Sequence, residues 1–157
     1  MPQIEIGDRR ICLGEMPFIV AEAGINHNGE IEKAIAMIEV AKAAGCHAVK
    51  FQTFKATEFV GSHSQTYTYR SQGRSVTESM LEMFKRYQLP DTAWKDLAEK
   101  CKEEGIIFLS TPQNYSDLEL LLSLDIPLIK VGSDDFTNLS LLKRYSETGI
   151  PLVLSSG

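Results

Sequence analysis

A chain of 157 residues with 43% hydrophobic side chains is long enough for one domain with a real core. Its formal net charge of −5 argues against a nucleic-acid backbone as the main partner, because phosphate backbones need a basic face. No apolar run approaches the roughly 20 residues needed to span a bilayer, and Met1-Pro2-Gln3-Ile4-Glu5 carries neither the basic region nor the apolar stretch of a signal peptide.

Residues 1–15 read as a unit of their own, a small hairpin of Ile4–Ile6 and Arg9–Cys12 joined by Gly7-Asp8. Residues 16–157 alternate short β-rich runs with amphipathic helices. Phe18–Ala21 is the first strand. Ile31, Ala34, Ile35, Ile38 and Ala41 recur at helical spacing until Gly45. Ala48–Phe54 is the second strand. The polar stretch Gly61–Ser75 predicts a long mobile loop over the end of that strand. Two helical segments follow, Thr77–Tyr87 and Asp91–Glu104, the second with Asp91 as its N-cap. Ile106–Ser110 is the third strand, Leu118, Leu121 and Leu122 mark a helix, and Leu128–Gly132 is the fourth strand. Leu139, Leu142 and Tyr145 mark the next helix, and Leu152–Ser155 is the fifth strand. Helices give way to strands at Gly45-Cys46, Gly105-Ile106 and Gly149-Ile150-Pro151, the pattern of parallel βαβ units.

Two lysines interrupt the apolar runs. Lys50 lies in Ala48-Val49-Lys50-Phe51-Gln52 and Lys130 in Leu128-Ile129-Lys130-Val131-Gly132. A buried ammonium is costly unless an anion or carboxylate meets it. Period-2 alternation puts Lys50 and Gln52 on one face with Ala48, and Lys130 on one face with Leu128 and Gly132. A doubly wound sheet has helices on both faces and no place for these lysines. In a (β/α)8 TIM-type barrel one strand face looks inward and turns polar and catalytic near the C-terminal mouth. The barrel is therefore the expected fold, with no Gly-rich fingerprint to support the alternative. Such a barrel typically takes about 250 residues, so this chain is expected to hold about its first five strands, as a fragment or a truncated relative. The inward apolar residues Val20 and Leu109 are then expected to meet solvent.

Polar side chains gather at the strand ends: Glu22, Lys50, Gln52, Ser110-Thr111, Lys130, Ser133, Ser155 and Ser156. Two ammonium groups with several hydroxyls suit a small multiply charged anion, such as a phosphate ester that also bears a carboxylate. Other readings stay open. The lysines could snorkel to the rim, Lys130 could form a Schiff base, and Glu22 could simply pair with a lysine. Thr111 could only end a strand and Ser155 only make a turn. The three cysteines have no metal-ligand spacing, and Cys101 shares a helical stripe with Trp94, Leu97 and Ala98, which reads as a reduced core thiol in a cytoplasmic protein. His27 reads as a structural turn residue, His47 lies at the opposite barrel end and His63 in the polar stretch, so none signals a metal site.

Ala21-Glu22-Ala23-Gly24-Ile25-Asn26-His27-Asn28-Gly29, Val49-Lys50-Phe51-Gln52-Thr53, Ser110-Thr111-Pro112, Ile129-Lys130-Val131-Gly132-Ser133 and Leu154-Ser155-Ser156-Gly157 together resemble the sialic acid (N-acetylneuraminate) synthases and their legionaminic and pseudaminic acid relatives. The resemblance implies a (β/α)8 barrel followed by an antifreeze-like domain, usually in a homodimer. It implies condensation of phosphoenolpyruvate with an N-acyl-amino sugar aldehyde of the N-acetylmannosamine type, with release of phosphate and a requirement for Mn2+ or Mg2+. It places Lys50, Gln52, Thr111, Lys130, Ser133 and Ser155 around the substrates and gives Glu22, Lys50 and Lys130 the catalytic roles. The family's metal-binding histidines lie on later strands, absent here, so this segment alone is expected to be inactive. The chain departs from the family at Asp134-Asp135, where many members have Gly-Glu, and at Gln113, where many have an aromatic residue. The rival readings are another phosphoenolpyruvate-using or Schiff-base aldolase on the same barrel, and a non-catalytic incomplete barrel fragment.

Overall fold

Two antiparallel strands, β1 (Gln3–Ile6) and β2 (Arg9–Cys12), open the chain as the expected hairpin, with Ile6 opposite Arg9 across the Gly7-Asp8 turn. The computed structural model describes residues 3–71 and 73–157; Met1 and Pro2 of the N-terminal unit, and Gln72 of the expected loop, lie outside them. The parallel strands follow as β3 (Val20–Gly24), β4 (Ala48–Thr53), β7 (Ile107–Pro112), β8 (Ile129–Val131) and β9 (Leu152–Leu154). β3, β4 and β7 form one hydrogen-bonded sheet in that order, and β8 pairs with β9. β8 runs beside β7, so the five strands follow one another in space as in sequence. They make a sector of a (β/α)8 barrel, with its helices on one side.

The helices arise where apolar residues recur at three- and four-residue intervals. α1 (Ile31–Ala43) buries Ala34, Ile38 and Ala41, and α4 (Asp91–Glu104) buries Ala93, Trp94, Leu97 and Cys101. Both end at a glycine with positive φ, Gly45 at 79° and Gly105 at 65°, a conformation that costs a Cβ-bearing residue about 1 kcal/mol or more. α5 (Tyr115–Leu122) and α6 (Leu139–Ser146) start at asparagines whose side chains accept backbone N–H groups, Asp117 at 3.1 Å and Leu141 at 3.3 Å.

Strand parity divides the core as the lysine pattern predicts. Val49, Phe51, Phe108, Ile129 and Val131 face the helices, against Ile38, Trp94, Leu97, Leu121 and Tyr145. Ala48, Leu109 and Leu128 face inward, where Ile6 of the N-terminal hairpin packs on them with Ile11 and Phe18 alongside. This corrects one expectation. Val20 is 37% exposed at the open edge, but Leu109 is only 1% exposed because the hairpin covers the foot of the inward face.

The stretch from Gly61 to Ser75 is also not a long loop. β5 (Thr66–Ser71) and β6 (Arg74–Ser79) form an antiparallel hairpin, pairing Tyr67 with Glu78 and Tyr69 with Val76. Its polar composition hides a run of aromatic and β-branched residues, Thr66 to Tyr69, and a turn glycine, Gly73 at φ 79°. Thr77–Ser79 therefore belongs to the strand, and the following helix, α3, spans Met80–Tyr87. Arg86 clamps this hairpin to α3 through two bonds to Glu78, at 2.6 and 2.8 Å, while the Tyr69 hydroxyl donates to Glu78 at 2.7 Å. Arg86 thereby holds the Glu78 carboxyl far below its usual range, at about 2. Between β4 and β5, α2 (Ala56–Phe59) makes a single turn. Asp91 is not an N-cap. Pro90, with its fixed φ of −65°, holds that place, and Asp91 sits in the first turn, 3.6 Å from Lys55.

Candidate functional site

The inward face of β3, β4, β7 and β8 turns polar above the apolar foot. Glu22 of β3 lies opposite Lys50 of β4 in the parallel register, and Gln52 lies opposite Thr111 of β7. Lys50 is buried, 7% exposed, and its Nζ stands 2.7 Å from Glu22 Oε2. Glu22 itself is open to solvent, its side chain 60% exposed. The pairing left open by the sequence is thus the one found. A register shift between Glu22 and Gly24 bends β3 at this point. Gly24 takes a positive φ of 54° there, which favours glycine, while a Cβ would make only ordinary contact with Glu22 Oε1 at 3.4 Å and Gln52 Oε1 at 3.8 Å.

Lys130 of β8 is half-buried, and its Nζ donates to the Val131 carbonyl at 2.7 Å. Its ammonium is held below the usual lysine range, first by burial and then by the nearby charge of Lys50; Glu22 and Asp134 pull the other way. The two lysines therefore feel each other across one interior. Thr111 is buried on the same face. Ser133 follows β8 and is exposed, close to Gly157, while the Ser155 N–H donates to the Val131 carbonyl at 3.2 Å. The ends of β8 and β9 thus come together at the rim. Ser110 does not join them. Its hydroxyl bonds that of Thr53 at 2.7 Å on the helix-facing side.

His27 and His47 behave as turn and packing residues. His27 is buried, its Nδ1 accepts the Gly29 N–H at 3.1 Å, and burial lowers its pKa. His47 Nδ1 accepts the Ile19 N–H at 2.8 Å and its ring stacks on Phe18, before β4 and away from the rim. Gly29, at φ 78°, approaches the Arg86 carbonyl so closely that a Cβ would collide with it, which seats the β3–α1 loop against the end of α3. Among the described residues no group of three or more His, Cys, Asp or Glu could hold a metal ion. The described residues therefore offer no complete donor set of their own for the Mn2+ or Mg2+ that the resemblance implies. The cysteines are unpaired, and burial pushes the Cys101 thiol up to about 12.

Two features escaped the sequence reading. Asp117, in the first turn of α5, is 1% exposed, and neither carboxylate oxygen has a hydrogen-bond partner among the described residues. Burial pushes its pKa up to about 7. The Gln113 backbone N–H lies near enough to oppose the rise but is spent on the Thr53 carbonyl at 3.2 Å and makes no proper hydrogen bond to the carboxylate; Lys55 also opposes it, while Glu58 and Asp91 add to it. The available signal was its spacing, since Asp117 shares a stripe with Leu121 four residues on. The second feature is the placement of Asp134, which the sequence marks only as a departure from the family pattern: its carboxylate folds back over Gly132.

Comparison with known proteins agrees with this architecture. The NeuB family matches residues 37–157. The N,N'-diacetyllegionaminic acid synthase of Campylobacter jejuni is 36% identical over 139 residues, covering 88% of this chain and 42% of that protein. The N-acetylneuraminate-9-phosphate synthase of Drosophila melanogaster is 37% identical over 150 residues, covering 89% of this chain and 37% of that protein. The chain thus spans less than half the length of either relative. Among solved structures, the sialic acid synthetase of Leptospira borgpetersenii, in complex with citrate, superposes with a TM-score of 0.86 at 27% identity, covering 99% of this chain and 50% of that one. A DAHP synthase from Thermotoga maritima shares the fold alone, at 16% identity and a TM-score of 0.65. With the family matched over residues 37–157 and the same parallel βα architecture in its solved relatives, the chain belongs to the NeuB family.

Proposed function

We propose that this chain is the phosphoenolpyruvate-binding sector of a nonulosonic acid synthase. The observation that carries this reading is the pair of ammonium groups, Lys50 and Lys130, on one inward face at the C-terminal ends of parallel strands. Together they match the phosphate and carboxylate of one small ligand. Gln52, Thr111, Ser133 and Ser155 supply neutral hydrogen bonds around it, and Glu22 faces the acceptor. In the complete protein the enol carbon of phosphoenolpyruvate attacks the aldehyde carbon of an N-acyl-amino sugar. A water adds to the former enol carbon, and phosphate leaves with its bridging oxygen. Charge grows on the departing phosphate, and the fixed ammonium groups stabilise it more than they stabilise the bound substrate. The unpaired cysteines support a reducing, cytoplasmic setting, and the homodimer rests on the family resemblance alone.

One observation favours a second reading. A lysine with a lowered pKa is a ready amine nucleophile, so Lys130 could form a Schiff base with a keto acid. Borohydride treatment of the complete protein with pyruvate separates the two. Condensation predicts no adduct at Lys130 by mass spectrometry. A reduced, covalent adduct there would replace the proposed mechanism with aldolase chemistry.

A further inference from the structure

Gly132 follows Lys130 by two residues, one past the end of β8, so continuing the strand alternation would aim its Cβ to the inward side that Lys130 faces. That space is taken. A Cβ on Gly132 would collide with Asp134 Oδ1 and lie 3.2 Å from Asp134 Cγ and 3.7 Å from Oδ2. Asp134 is exposed and sits in a turn closed by bonds from Asp135 N–H to the Gly132 carbonyl and from Phe136 N–H to the Ser133 carbonyl, both 3.3 Å. Its carboxylate nevertheless folds back over the end of β8. Lys50 already has Glu22 at 2.7 Å. Asp134 makes no direct ion pair with Lys130, whose Nζ bonds the Val131 carbonyl, but its charge reaches that ammonium and favours the protonated form.

We propose that Asp134 is a specificity-determining placeholder, a carboxylate that occupies the inward end of β8 and competes with the incoming anion for Lys130. The proposal rests on the reading of this site as the phosphoenolpyruvate site. When the site is empty, Asp134 offsets the charge of Lys130. A phosphate ester bearing a carboxylate brings enough charge to overcome this competition, and Asp134, on an exposed turn, swings aside. A singly charged keto acid brings no more charge than the aspartate it must displace, so it binds poorly. The residue filters ligands by charge, which neither lysine can do alone.

The test is calorimetric titration of the full-length protein with phosphoenolpyruvate and with pyruvate. Asp134→Asn keeps the shape and removes the charge. It should tighten phosphoenolpyruvate binding about tenfold and make pyruvate binding measurable, because a like charge beside the anion is gone. Gly132→Ala supplies a geometric check. Gly132 has no positive φ, so the added methyl acts only through its collision with Asp134. It should tighten binding in the parent protein and add little in the Asp134→Asn background, a non-additive pair. Unchanged or weaker phosphoenolpyruvate binding in Asp134→Asn would overturn the proposal, as would fully additive effects. If the folded parent, Asp134→Asn and Gly132→Ala proteins all fail to bind phosphoenolpyruvate, the reading of the site fails instead.

Discussion

If the proposed reading holds, replacing Lys50 or Lys130 by Met in the complete protein should lower kcat/KM for phosphate release by at least about 2–3 kcal/mol, on the order of 30- to 150-fold. Met keeps most of the stem and removes the charge. Lys50 is expected to suffer more. It is buried with Glu22 as its near partner, so its loss leaves a carboxylate beside the substrate's negative charge. Lys130 is less buried and already carries Asp134 as a competitor, so its variant should lose more in KM than in kcat. Steady-state phosphate release gives both numbers. Near-normal kcat/KM in both variants would remove the clamp from the mechanism.

The second large effect is on stability. Asp117 has an ordinary carboxylate pKa when unfolded, and burial raises it to about 7 in the fold. A raised carboxyl pKa means that the folded state keeps its proton while the unfolded state loses it. The associated penalty is absent below about pH 4, grows as pH rises, and is complete above about pH 7. Its full size is on the order of 4 kcal/mol. Asp117→Asn should therefore leave stability unchanged at pH 4 and raise it at pH 8, which a comparison of urea midpoints would show. In the parent protein the Asp117 carboxyl should titrate near pH 7 by carbon NMR. A midpoint below about 5, or no stabilisation at pH 8, would mean that the carboxylate finds partners that the fold does not show.

The repeated helix–glycine–strand pattern carried the fold, because Gly45, Gly105 and Gly149 all take the positive φ that ends a helix before a buried strand. The inward position of Lys50 and Lys130 was legible for a simple reason. Strand alternation has period 2, so one buried face fixes the other. What the sequence hid depends on contacts between distant segments. The β5–β6 hairpin reads as a polar loop until Tyr67 and Tyr69 are placed against α3 and Glu78 against Arg86. The burial of Leu109 depends on a hairpin about 100 residues earlier in the chain. Asp117 and Asp134 are aspartates near a helix start and a strand end, where aspartate is common; the sequence marks Asp134 as a departure from the family but not where its carboxylate goes, and only packing marks Asp117.

The most direct measurement uses phosphoenolpyruvate labelled with 18O at the bridging oxygen, incubated with the complete protein and an N-acyl-amino sugar aldehyde of the N-acetylmannosamine type. The products are resolved by mass spectrometry. Attack by the enol carbon with C–O cleavage predicts that the label leaves with phosphate and that a nonulosonic acid appears in equal amount. Label retained in the keto acid, or no phosphate release with any such sugar from a folded protein, would contradict the assignment of this sector to phosphoenolpyruvate condensation.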